Sequence, residues 1–191
     1  MKTRNLMLSL VLAGSLGLAA CNTDYGKTVE QGRCVAFDGK TVTFVRDSNV
    51  NPKNPPKYEG KILKFTLPED PKEKGPDAAV GNFIDFDAAK KKVYVYKDNM
   101  LVDKDVELVN KQEGVERHAS AVSGKTFPMV DKDKNEVTVY MKNTLATFKI
   151  PADLPSDEAF WKKGDDVRVF FKTDGMAARY MNISKTNIFK K

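Results

Sequence analysis

Val167-Arg168-Val169-Phe170-Phe171-Lys172-Thr173-Asp174-Gly175, running on into Met176 to Ile183, is the stretch whose reading decides the fold. Apolar residues alternate with charged ones, the pattern of a strand with one face on a core and the other in water. Asp-Gly between two such runs tolerates the positive φ that a tight hairpin turn requires. Phe170 and Phe171 are neighbours, so in a strand they point to opposite faces. With Val167, Val169 and Phe171 on the core, Phe170 faces outward beside Arg168 and Lys172.

Working outward, the same plan recurs upstream. Gly32-Arg33-Cys34-Val35-Ala36-Phe37-Asp38 is followed by the alternating Thr41-Val42-Thr43-Phe44-Val45. Gly124-Lys125-Thr126-Phe127-Pro128-Met129-Val130-Asp131 is followed by Glu136-Val137-Thr138-Val139-Tyr140. Lys64-Phe65-Thr66-Leu67-Pro68 then matches Thr147-Phe148-Lys149-Ile150-Pro151, each a strand ended by a proline that cannot donate to a ladder. Pro76–Gly81 and Ser156–Gly164 follow as short predicted helices, the second capped by Ser156 or Asp157. A hairpin closes each half, Phe83-Ile84-Asp85-Phe86 turning through Asp87-Ala88-Ala89-Lys90 in the first. The predicted fold is mainly β, in two halves from an internal duplication: 32–109 and 121–191, joined by a charged linker over 110–120. The order strand, strand, strand, short helix, strand, strand resembles the OB-like small barrel, which implies that each half closes its own barrel and hides its sheet edges. A single β-sandwich across both halves is the alternative.

The N-terminus reads differently. Lys2 and Arg4 precede an uncharged run from Leu6 to Leu18. At about 13 residues it falls short of the roughly 20 a spanning helix needs, so residues 1–20 read as a signal peptide. The segment closes Leu18-Ala19-Ala20-Cys21, which resembles the lipobox of bacterial lipoprotein precursors. The resemblance implies cleavage between Ala20 and Cys21 and lipid on the Cys21 thiol, with 21–31 as a tether. Two or three acyl chains anchor stably, each buried methylene contributing about 0.8 kcal/mol. The expected location is the cell envelope, facing the periplasm or the outside of the cytoplasmic membrane. Asn22 is not the aspartate associated with inner-membrane retention. The whole chain, leader followed by two β-rich halves, is similar to a family of small lipoproteins of sulfate-reducing bacteria that share a domain of unknown function. That resemblance implies no activity and no cofactor.

Charge and cysteine count narrow the partners. The 32 basic residues less Lys2 and Arg4 leave 30 against 26 acidic, a mature net of +4. Basic residues are interspersed with acidic ones, as in Asp131-Lys132-Asp133-Lys134, which argues for a solvated surface and against nucleic acid. With Cys21 lipidated, Cys34 is left unpaired in an apolar run and reads as a small buried hydrophobe.

No catalytic or cofactor motif is present in the sequence, and no cofactor or metal site is expected. His118, the sole histidine, falls in the predicted linker and reads as solvent-exposed. Asp131-Lys132-Asp133-Lys134-Asn135-Glu136 has alternate oxygen donors but neither the sixth-position glycine nor a twelfth-position glutamate, so it reads as a β-turn and not a calcium loop. The function expected from these readings is a non-catalytic module, binding an envelope protein or glycan. Its candidate surface comprises Tyr58, Trp161, Arg168, Phe170 and Lys172, with the Asn/Pro-rich loop 48–60 nearby. The alternative is an enzyme using carboxylates such as Asp165 and Asp166.

Overall fold

A computed structural model describes residues 28–49, 51 and 54–186, and within these it contains twelve β-strands and no α-helix. Cys21 and the leader lie outside the described residues. The strands are β1 (Thr28–Phe37), β2 (Thr41–Asp47), β3 (Tyr58–Thr66), β4 (Phe83–Asp87), β5 (Lys92–Lys97) and β6 (Met100–Asp105), then β7 (Leu108–Gln112), β8 (Met129–Asp131), β9 (Glu136–Met141), β10 (Thr144–Lys149), β11 (Asp166–Thr173) and β12 (Met176–Asn182).

The alternation in the opening stretch does what its chemistry demands. Val167, Val169 and Phe171 are buried, and Gly175 at φ 75° turns β11 into β12. These two strands close a five-stranded barrel with β1, β2 and β3, in the order β1-β2-β3-β12-β11 and back to β1. All neighbours are antiparallel except β12 and β3, which meet in parallel at Met176 and Thr66. Phe44, Phe65, Phe171 and Tyr180 fill the interior with Cys34. The Phe65 ring lies 5.9 Å from that of Phe44 and 4.9 Å from that of Phe171. Such ring pairs add about 0.5–1.5 kcal/mol each beyond area burial.

Between β3 and β11 the chain builds a second body. One sheet has the order β4-β5-β6 and the other β7-β10-β9-β8. Phe83, Phe86, Val93 and Val95 of the first share a core with Val137, Val139, Ala146 and Phe148 of the second. Trp161 seals this core, its ring 5.8 Å from that of Phe148. The other face of the three-stranded sheet is covered as well. Ile84, Tyr94, Tyr96 and Leu101 lie against Val35, Val45 and Ile62 of the barrel wall. Its buried position on both faces explains why Phe83-Ile84-Asp85-Phe86 reads as near-continuous rather than alternating.

The mainly β expectation therefore holds, with both a small barrel and a pair of facing sheets in one chain. The division into consecutive halves does not. The barrel takes three strands from residues 28–66 and two from 166–182, and the sheets between them are not a second barrel. The pairing of β1 with β11 sets Gly32 opposite the buried Val167 and Arg33 opposite its ion-pair partner Asp166, and alternation alone says nothing of partner choice. The predicted linker is not one: Leu108–Gln112 is a strand at the edge of the four-stranded sheet. Neither predicted helix forms. Asp157 caps only a single turn, accepting from the Ala159 amide at 3.2 Å, because Trp161 immediately follows and must enter the core.

Candidate functional site

A groove of about 790 Å³ opens between the barrel, the segment 115–127 and the turn joining β9 to β10. Its cations come from four separate parts of the chain: Arg33 on β1, Arg117 and Lys125 on the looping segment, Lys142 on the turn, and Lys163 before β11. Among the described residues Asp166 is the one carboxylate on its wall, and His118 lies on its rim.

Arg33 is placed by strand alternation. Cys34 points into the barrel, so Arg33 points out to the junction between the two bodies, where it is 2% exposed. Its Nη1 donates to the Gly164 carbonyl at 3.1 Å, and its Nη2 donates to the Tyr58 hydroxyl at 2.9 Å. Nη2 also lies 3.3 Å from Asp166, and the guanidinium stands 5.9 Å over the Tyr58 ring. The buried Nε has no partner among the described residues. Tyr58 has its hydroxyl pKa raised, first by burial, so it stays a neutral acceptor for Arg33.

The remaining wall is turn chemistry. Lys142 and Asn143, at φ 51° and 58°, form the tight connection of the β9–β10 hairpin and carry Lys142 to within 3.3 Å of Asp85. The segment 115–127 is tied down by the Val115 amide on the Asn143 carbonyl at 2.9 Å and by the Tyr140 hydroxyl on the Val115 carbonyl at 2.8 Å. Phe127 packs beside Tyr140 with ring centroids 6.0 Å apart. Lys163 reaches solvent, yet its ammonium sits among protein groups. Desolvation and then the Arg33 charge hold its pKa below the ordinary lysine value.

The sequence-selected residues fall in several places. Trp161 is fully buried and donates through Nε1 to the Pro155 carbonyl at 2.8 Å, so it is a core residue and no part of a binding surface. Its bulk settled the outcome, because the facing sheets bury every atom of it. Arg168, Phe170 and Lys172 do share the outer face of β11, but Arg168 is engaged with the Gln31 side chain at 2.6 Å. Tyr58 lies apart from them, at the groove's Arg33 end. The loop at 48–60 is pinned at its base, where Asp47 accepts from the Asn49 amide at 2.9 Å and the Lys57 amide at 2.7 Å.

Asp165 and Asp166 are not brought together as a working pair. Asp165 accepts from the Ala79 amide and from Asn182, each at 2.8 Å, while Asp166 turns to Arg33. Burial opposes ionisation of Asp165, but those donors and Lys185 outweigh it and lower its pKa. His118 is exposed, as its surroundings suggested, though it belongs to the groove rim and not to a linker. Cys34 is buried and its thiol is pushed up to about 12, mainly by desolvation. Asp131 closes a turn with Lys134, accepting its amide at 3.1 Å. No cluster of three or more His, Cys, Asp or Glu side chains that could hold a metal occurs among the described residues.

Arg33, Lys142 and Lys163 were missed as a set because they lie far apart in sequence: the β1–β11 pairing brings Arg33 near Lys163, and the β9–β10 turn carries Lys142 to Asp85. The one local signal was Arg33 itself, a charged residue inside an apolar strand run. The segment 115–127 carried no periodicity, and its role follows from what anchors it.

No curated protein and no solved structure matches the chain. The model of the family described as a domain of unknown function (DUF4881) matches residues 24–191, nearly the whole of the expected mature chain, and the protein belongs to that family.

Proposed function

We propose that the protein is a lipid-anchored, non-catalytic binding module of the bacterial cell envelope, and that the groove between barrel and facing sheets is its binding site. The reading of location rests on the leader and on Leu18-Ala19-Ala20-Cys21. The observation that carries the reading of function is the groove, where five cations face one carboxylate among the described residues. Arg33 and Lys142 have carboxylate partners, and the like charges of Arg117, Lys125 and Lys163 around the same concavity favour an anionic occupant. The carboxylates of the enzyme alternative have separate structural partners, which favours binding over chemistry.

Crosslinking in intact cells tests both parts. A photoreactive residue at Ser123 or Asn143, on the groove wall, is expected to give envelope adducts that the same residue at exposed Lys61 does not. Cys21→Ser is expected to abolish acyl labelling and release the chain from membranes. Adducts equal at all three positions, or to those of an unrelated lipoprotein, would sink the binding reading. Unchanged acyl labelling of Cys21→Ser would sink the anchor.

A further inference from the structure

The groove's charges are not all accounted for by the protein. Arg33 is paired with Asp166 and Lys142 with Asp85. Arg117, Lys125 and Lys163 line the same cavity and make no ion pair with a described residue. Beside them stand the Ser123 and Asn143 side chains, and the Phe127 and Tyr140 rings form one wall. Below the cations lies Arg33, nine-tenths or more buried, with no partner for its Nε among the described residues. A buried donor without a partner is unfavourable and favours an acceptor beside it.

Size and charge select among anions. A cavity of about 790 Å³ lies in the range of sites for ligands of tens of atoms and is far larger than a single inorganic anion needs. Lys125 donates to the Ala121 carbonyl at 3.0 Å but has no carboxylate partner, and the three cations together are best matched by about three negative charges. Two carboxylates supply only two, whereas each phosphate monoester carries about 1.5–2 near neutrality, so two of them match. Ring faces such as those of Phe127 and Tyr140 suit the apolar face of a cyclic scaffold.

We propose that this groove binds a sugar-sized ligand bearing two phosphate groups, with Arg117, Lys125 and Lys163 contacting the phosphates. The inference rests on the reading of the groove as the binding site and adds the ligand's chemical class. The same chemistry is presented by a free sugar bisphosphate and by the headgroup of a bisphosphorylated glycolipid.

The experiment uses the full chain in detergent micelles and isothermal titration. One arm adds free glucose 1,6-bisphosphate, and the other mixes a bisphosphorylated glycolipid into the micelles. Each is measured against wild type, against the triple variant Arg117→Gln, Lys125→Gln, Lys163→Gln, and against the control triple Lys61→Gln, Lys72→Gln, Lys132→Gln. The control removes the same charge from exposed positions away from the groove. The expected result is saturable binding in at least one arm, weakened by at least about tenfold in the groove triple, a loss of about 1.4 kcal/mol or more. The control triple is expected to change it less than about twofold. Binding in the first arm alone identifies a soluble ligand, and in the second alone a headgroup. Absence of binding in both arms, or equal loss in both triples, overturns the proposal. So does capture of a single-stranded oligonucleotide or an acidic peptide where both phosphorylated sugars fail. Groove-dependent crosslinks that persist alongside failed titrations would remove this ligand class and leave the binding-module reading standing.

Discussion

Arg33 ties three parts of the architecture together. Its guanidinium joins β1 to Tyr58 on β3, to Asp166 at the start of β11 and to the Gly164 carbonyl. A Lys side chain offers one point charge and cannot span these three acceptors as a planar fork does. Arg33→Met is expected to destabilise the fold by about 2–3 kcal/mol in urea unfolding, and Arg33→Lys is expected to recover less than half of that. An unchanged midpoint for Arg33→Met would contradict this role. Cys34, one residue on, points the other way. With its thiol pushed from 9.0 to about 12, it is expected to resist alkylation at pH 8 until the chain unfolds. The pH effect follows: the unfolded thiol ionises from about 9, the folded one not until about 12, so stability is lost as pH climbs between them. Alkylation of the native protein at the rate of a free thiol would show that the barrel interior is open.

At the scale of elements, the hairpin β11–β12 was legible because everything that defines it is local: alternation, an Asp-Gly turn and charged outward positions. Strands β2 and β9 were legible for the same reason, and the β4–β5 hairpin from its turn residues and the alternation over residues 92–96. The junction was not. Gly81 donates through its amide to the Cys34 carbonyl at 3.3 Å, and a Cβ on Gly164 would meet that same carbonyl oxygen at 2.0 Å. Two glycines let the strands entering and leaving the facing sheets press against β1, a requirement with no sequence signature beyond the glycines themselves. Gly164→Ala is expected to cost about 2–3 kcal/mol, read as a lowered unfolding midpoint, since the opposing atom is backbone and cannot swing aside. The segment 156–164 read as a helix because capping residues and a closing glycine are helix signals. One turn of helix is unstable alone, and burial of Trp161 overrode it.

For the whole molecule, the contacts that matter join residues more than a hundred positions apart. The two halves read from the sequence are not the units of the fold, because sheet partners cannot be deduced from alternation. A chain ending at residue 120 is therefore expected to lack cooperative unfolding, having lost β11 and β12 from the barrel. Cooperative unfolding of that fragment would restore the idea of separate halves. The same long-range pairing assembles the groove, so it was invisible to any reading by segment. Amide NMR of the full chain in micelles, titrated with glucose 1,6-bisphosphate and separately with the bisphosphorylated glycolipid, tests this most directly. The expected result is shifts confined to the amides of Arg117, Ser123, Lys125, Asn143 and Lys163. A spectrum unperturbed both by glucose 1,6-bisphosphate and by the bisphosphorylated glycolipid, or shifts centred on Arg168, Phe170 and Lys172 on the outer face of β11, would contradict the account.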